Sequence, residues 1–156
     1  MTTQTATPQS TDRIETRIEV NAPRSRVWRA VSNAKEFGTW FGLKLENDFV
    51  AGKTVRGELT KMANMTLDLE IQRIEPEHYF SYRWHPYAID PKVDYSSEPT
   101  TLVEFRLEEM AGGKSTAVTI VESGFDKIPL ARRAEAYRMN NAGWTSQAKK
   151  LAAYVA

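Results

Sequence analysis

Glu122 is the residue in this chain best placed to do chemistry. It closes an alternating run in which Val118, Ile120 and Glu122 share one face of a strand, and Ser123-Gly124 breaks that strand. Its carboxyl therefore points to the side that Val118 and Ile120 must bury. A carboxyl buried without a partner keeps its proton to higher pH, which suits a general acid or base. The same position suits a structural hydrogen bond or ion pair at a strand end, so both roles stay open. His85 precedes Pro86 at the end of another strand, where a solvated loop setting competes with a proton-shuttling role. Trp40, Phe41, Tyr82, Trp84, Phe105, Phe125 and Trp144 form an aromatic-rich set. With Ile120 they either line an apolar pocket or pack as plain core. Asn140 and Asn141 fall on or near one stripe of the last helix, with Asn141 assigned to the stripe as a ligand contact.

These side chains need a sheet and a helix to bring them together, and the patterning supplies both. Ile14, Thr16, Ile18 and Val20 alternate with Arg13, Glu15, Arg17 and Glu19, which predicts a half-buried strand. Pro23 suits the first turn of a short helix carrying Val27, Trp28, Ala30 and Val31. A second short helix runs from about Asn33 to Phe41, capped by Asn33 with Glu36 three residues on. Alternation then predicts strands at Lys53 to Thr60, Thr66 to Ile74, Tyr79 to His85, Thr101 to Glu109 and Ser115 to Ser123. Gly112-Gly113 marks a hairpin between the last two, and the short connections argue for an antiparallel meander. From about Pro129 to Tyr154 a long helix sets Tyr137, Asn141, Trp144, Ala148, Leu151 and Val155 on one stripe. Only the sheet is broad enough to cover it. The segment from His85 to Thr100, with three prolines, is either a lid over a pocket or a passive loop.

Composition closes off several chemistries. The 156 residues carry 21 basic and 20 acidic side chains in no long run of one sign, so neither nucleic acid nor a membrane surface is an expected partner. The absence of cysteine removes thiolate metal sites, cysteine nucleophiles and iron–sulfur clusters. Two histidines make an all-protein zinc site improbable, and no phosphate loop or dinucleotide fingerprint is present, so no cofactor or metal is expected. Residues 1–12 are polar and contain proline, and are expected to be a disordered tail without signal-peptide character. A cytoplasmic location follows.

The order of elements, with Ala22-Pro23, Val27-Trp28, Trp40-Phe41, Phe80 to Trp84, Leu102 to Leu107, Glu122-Ser123-Gly124-Phe125 and Gly143-Trp144, resembles the START-like (SRPBCC) superfamily. Within it, the chain is similar to the branch named after the activator of the heat-shock-protein ATPase. The resemblance covers about Arg13 to Val155 and implies an α+β helix-grip fold over residues 13–156. In that fold a curved antiparallel sheet of about six or seven strands wraps a long C-terminal helix, with two short helices after the first strand. It also implies a cavity for small or lipid-like apolar molecules, since the superfamily includes lipid-transfer domains, hormone receptors and polyketide aromatase/cyclases. Three functions follow as expectations. The first is binding of a small hydrophobic or aromatic ligand at Trp40, Phe41, Tyr82, Trp84, Phe105, Ile120, Glu122, Phe125, Asn141 and Trp144. The second is a cyclase or dehydratase using Glu122 or His85 as its catalytic group. The third is a chaperone-regulating interaction domain, ranked last for want of an apolar stripe beyond the one the helix uses. A homodimer is compatible with all three.

Overall fold

A computed structural model of the protein describes residues 11–62 and 65–156. Strand β1 (Arg13–Val20) leads into helices α1 (Arg24–Ser32) and α2 (Ala34–Phe41). Six strands follow: β2 (Leu43–Leu45), β3 (Thr54–Leu59), β4 (Thr66–Glu75), β5 (Tyr79–Trp84), β6 (Thr101–Met110) and β7 (Ser115–Ser123). Helix α3 (Leu130–Val155) ends the chain. The fold is α+β and of the expected helix-grip type, with β1 paired to β7 and the meander running from β7 back to β2. Every pairing is antiparallel. None of the described helices is long and apolar enough to cross a membrane.

Local rules explain the entry to the sheet. The Asn33 side chain accepts a hydrogen bond from the Glu36 amide at 3.0 Å, so α2 starts where the Asn-x-x-Glu spacing predicts. Gly42 closes α2 in the left-handed conformation at φ 96°, which frees the chain to turn into β2. A three-residue strand carries no periodicity, and alternation did not reveal β2. Gly38 lets α2 lie directly against β2, because a methyl group there would overlap the Leu43 carbonyl oxygen. Gly38→Ala is therefore expected to destabilise the domain by at least about 1–3 kcal/mol, since backbone rather than a flexible side chain must move. A urea midpoint equal to wild type would contradict this packing.

Phe37 is the hub of the core. Its ring meets those of Trp40, Phe41, Phe49, Phe80, Tyr82 and Phe105 at centroid distances of 4.9–6.4 Å. The space between α2 and the sheet is thus filled by aromatic rings. Trp40 belongs to this packing, and its indole N–H donates to the Ala30 carbonyl at 2.9 Å, tying α2 to α1.

Residues 1–10, most of the expected tail, lie outside the described residues. Thr11 and Asp12 were expected to belong to that tail, but both dock. The Asp12 carbonyl accepts from the Gly124 amide, its carboxylate accepts from the Asp126 amide at 3.0 Å, and Thr11 donates to Asp126 at 2.9 Å. The turn after β7 leaves backbone N–H groups that these residues satisfy.

Candidate functional site

Register explains why an acid lies in the core. Ile14, Glu122, Val103, Tyr82 and Ile71 face one another across β1, β7, β6, β5 and β4. All five are buried, so one carboxyl interrupts an apolar row beneath α3. Its neighbours supply hydrogen bonds and no charge. The indole N–H of Trp144 donates to Oε1 at 2.8 Å and that of Trp84 to Oε2 at 2.7 Å. The Thr101 hydroxyl lies 2.6 Å from Oε2, and the Asn140 amide nitrogen lies 2.9 and 3.2 Å from the two oxygens. Four donors occupy roughly the four lone-pair positions a carboxylate offers. Burial pushes the Glu122 carboxyl above its ordinary 4.5, while the bonds from Thr101, Trp84, Trp144 and Asn140 pull it back down. Burial, and secondarily the Glu122 charge, push the Tyr82 hydroxyl well up, and that hydroxyl has no partner among the described residues.

The carboxyl works as a staple. One residue of β7 holds the end of β5 through Trp84, the start of β6 through Thr101 and the middle of α3 through Asn140 and Trp144. Trp84 and Thr101 stand opposite each other in the β5–β6 pairing, which sets both donors on the same oxygen.

Above this staple lies a pocket of about 150 Å³ lined by Phe41, Trp84, Asn140, Gly143, Trp144 and Gln147. Phe41, Trp84 and Trp144 form a triangle of rings with centroids 5.8–5.9 Å apart. Because Glu122 engages both indole N–H groups, these two walls offer hydrocarbon for the rest of their surface. The four lining residues of α3 stand at i, i+3, i+4 and i+7, which is one helix face. A methyl group added at Gly143 would meet nothing within 4 Å.

The expected site residues divide accordingly. Phe41, Trp84 and Trp144 line the pocket, and Glu122 lies behind the two indoles. Tyr82, Phe105 and Ile120 are fully buried in the core behind it, and Trp40 packs between the short helices. Phe125 lies in the turn after β7, its ring 5.2 Å from that of Tyr137. Asn141 requires correction: it is exposed, and Asn140 takes the place assigned to it. The buried stripe of α3 runs through Ala136, Trp144, Ala148, Leu151 and Val155. One residue is 100° of helix, which turns Asn141 away. Thr101 and Gln147 were not anticipated. Counting back along β6 from the Gly112-Gly113 hairpin sets Val103 opposite Glu122 and would have found Thr101.

The segment from His85 to Thr100 is held by α3. Arg132 pairs with Glu98 at 2.7 Å, donates to the Pro86 carbonyl at 2.7 Å and stacks its guanidinium over the Tyr95 ring. Its cation bonds the loop, and Arg133 donates to the Ile128 carbonyl. His85 is half-buried, with Nε2 3.0 Å from the Glu98 carbonyl oxygen. This loop lines a separate groove with Arg132 and Glu135, away from the Glu122 staple. Arg132→Ala is expected to speed amide exchange across 85–100 while leaving β6 and β7 protected. Unchanged exchange in the loop would show that Arg132 does not hold it.

The fold is shared with proteins of known structure. A Mesorhizobium loti protein matches at TM-score 0.71 and 22% identity over 92% of this chain and 96% of its own. The Aha1 dimer of Colwellia psychrerythraea matches at TM-score 0.67 and 16% identity over 90% of this chain and 92% of its own. CalU16 of Micromonospora echinospora matches at TM-score 0.63 and 21% identity over 92% of this chain and 76% of its own. A search of curated proteins finds no match. The family model described as Activator of Hsp90 ATPase homolog 1-like protein matches residues 21–156, a span that holds both short helices, six of the seven strands and all of α3, and the chain belongs to that family, within the START-like superfamily.

Proposed function

We propose that the protein binds a small apolar or aromatic molecule where Phe41, Trp84 and Trp144 meet. The observation that carries this reading is the glycine in the pocket wall. Gly in mid-helix costs about 1 kcal/mol relative to Ala. No backbone or side chain approaches Gly143 closely enough to require it. Space kept at that cost, beside three aromatic rings, suits a ligand better than it suits packing. Gly143→Ala is accordingly expected to raise stability by about 0.5–1 kcal/mol. A loss of stability would mean that Gly143 serves packing, and the reading would lose its main support. Native mass spectrometry of wild type against Gly143→Leu tests it directly: an adduct on the first that is absent from the second supports binding at this site.

A cyclase or dehydratase finds less support. Both oxygens of Glu122 already accept hydrogen bonds from four donors, so a substrate proton would have to displace one of them. The interaction-domain reading gains little either. Among the described residues the large apolar side chains that are exposed are Val50, Met62, Val93, Leu130 and Met139, which are scattered in sequence over α3 and three separate connections between strands.

A further inference from the structure

We propose that this pocket selects a single aromatic ring bearing an N–H or O–H donor and turns carboxylates away; the proposal rests on the binding reading above and names its ligand chemistry. The argument begins with two amides. Asn140 commits its NH2 group to Glu122, at 2.9 and 3.2 Å. Gln147 donates one N–H of its NH2 group to the Phe41 carbonyl at 3.0 Å. Turning either amide over would set oxygen against oxygen, so both orientations are fixed by their partners. Each amide is left with its oxygen free to accept. The Gln147 Oε1 is buried and has no partner among the described residues, a state that costs free energy and that a ligand donor would relieve. The two residues lie at i and i+7 on α3, on either side of the Gly143 gap, and both line the pocket.

The remaining lining agrees with this. The two indole N–H groups, which could have served an acceptor on the ligand, are both spent on Glu122. No Lys, Arg or His lines the pocket, and the Glu122 carboxyl lies directly behind the two indoles. An anionic ligand would enter an apolar site with no cation to meet it and a carboxylate at its back. Size sets the number of rings: a cavity of about 150 Å³ holds benzene, and the pocket here is about 150 Å³.

Phenol, anisole and benzoate differ in the property at issue and share one ring. Titrating each into 15N-labelled protein, with the Trp84 and Trp144 indole N–H resonances as reporters, gives three dissociation constants. Phenol should shift both resonances. Anisole should bind roughly 2–13-fold more weakly, the span of one hydrogen bond. Benzoate should not saturate either resonance. Gln147→Met should lower phenol to the level of anisole and leave anisole where it was, whereas Gly143→Leu should abolish both. Phenol and anisole binding equally well to wild type, or benzoate binding as well as phenol, would overturn the donor preference and leave the binding reading standing. No shift with any probe, or shifts that survive Gly143→Leu, would overturn the binding reading and this inference with it.

Discussion

Trp144→Ala is expected to lower the unfolding free energy by about 3–5 kcal/mol, the usual cost of removing a buried Trp. In a domain of this size that is a fall in Tm of roughly 6–20 °C. Trp144 is 3% exposed, and its ring packs on Phe41, Trp84 and Phe105. Its loss opens a cavity and deprives Glu122 of a donor at 2.8 Å. Trp144→Phe shifts the balance between the two effects, because it keeps a six-membered ring in the space but loses the pyrrole ring together with its N–H. The phenylalanine variant should recover more than half of the loss. Thermal melts of the two variants matching that of wild type would show that α3 is not held on the sheet by this residue.

Glu122→Leu should be comparably damaging for the opposite reason, since it adds apolar surface and still destabilises. Two indole N–H groups would be left without an acceptor, at about 1–3 kcal/mol each. Glu122→Gln is milder. Its one oxygen keeps some donors while its NH2 faces another. Its larger effect is on pH dependence. The folded-state pKa of Glu122 is raised, with burial as the first cause. Below the ordinary value of 4.5 the group is neutral in folded and unfolded chains alike. As pH climbs from there toward the folded value, the unfolded chain ionises first, so stability falls through that window and levels off above it. Urea midpoints from pH 4 to 8 should carry this decline in wild type and lose it in Glu122→Gln. Parallel profiles would mean that Glu122 does not titrate as a buried acid.

Much of this site is legible in the alternation of β7. Period two alone sets Glu122 with Val118 and Ile120, and the strand ends at Ser123 as the Ser-Gly break predicts. The capping spacing at Asn33 likewise gives the start of α2. What escapes is information that lies between elements. Asn140 and Asn141 are chemically identical, and the choice between them depends on rotating α3 by a single residue against the sheet. Phe37 sits in a short helix with no outward sign that six other rings converge on it. Gln147 reads as a surface residue by type, and only the Phe41 carbonyl opposite makes it otherwise. The row Ile14–Glu122–Val103–Tyr82–Ile71 becomes readable once every register is known, because it crosses five strands and no segment contains more than one of its members.

The pairing of β1 with β7 has a consequence for biosynthesis. β1 spans Arg13–Val20 and its partner Ser115–Ser123, so the first strand of the sheet waits for the last. At about 5–20 residues per second on the ribosome, those roughly one hundred intervening residues take about 5–20 s to appear. Through that interval Ile14, Ile18 and Val20 and an unpaired strand edge stay uncovered on the nascent chain. Glu122 and the α3 residues that donate to it emerge later still. The sheet therefore closes only once β7 has been made, in a step that brings together strands roughly one hundred residues apart.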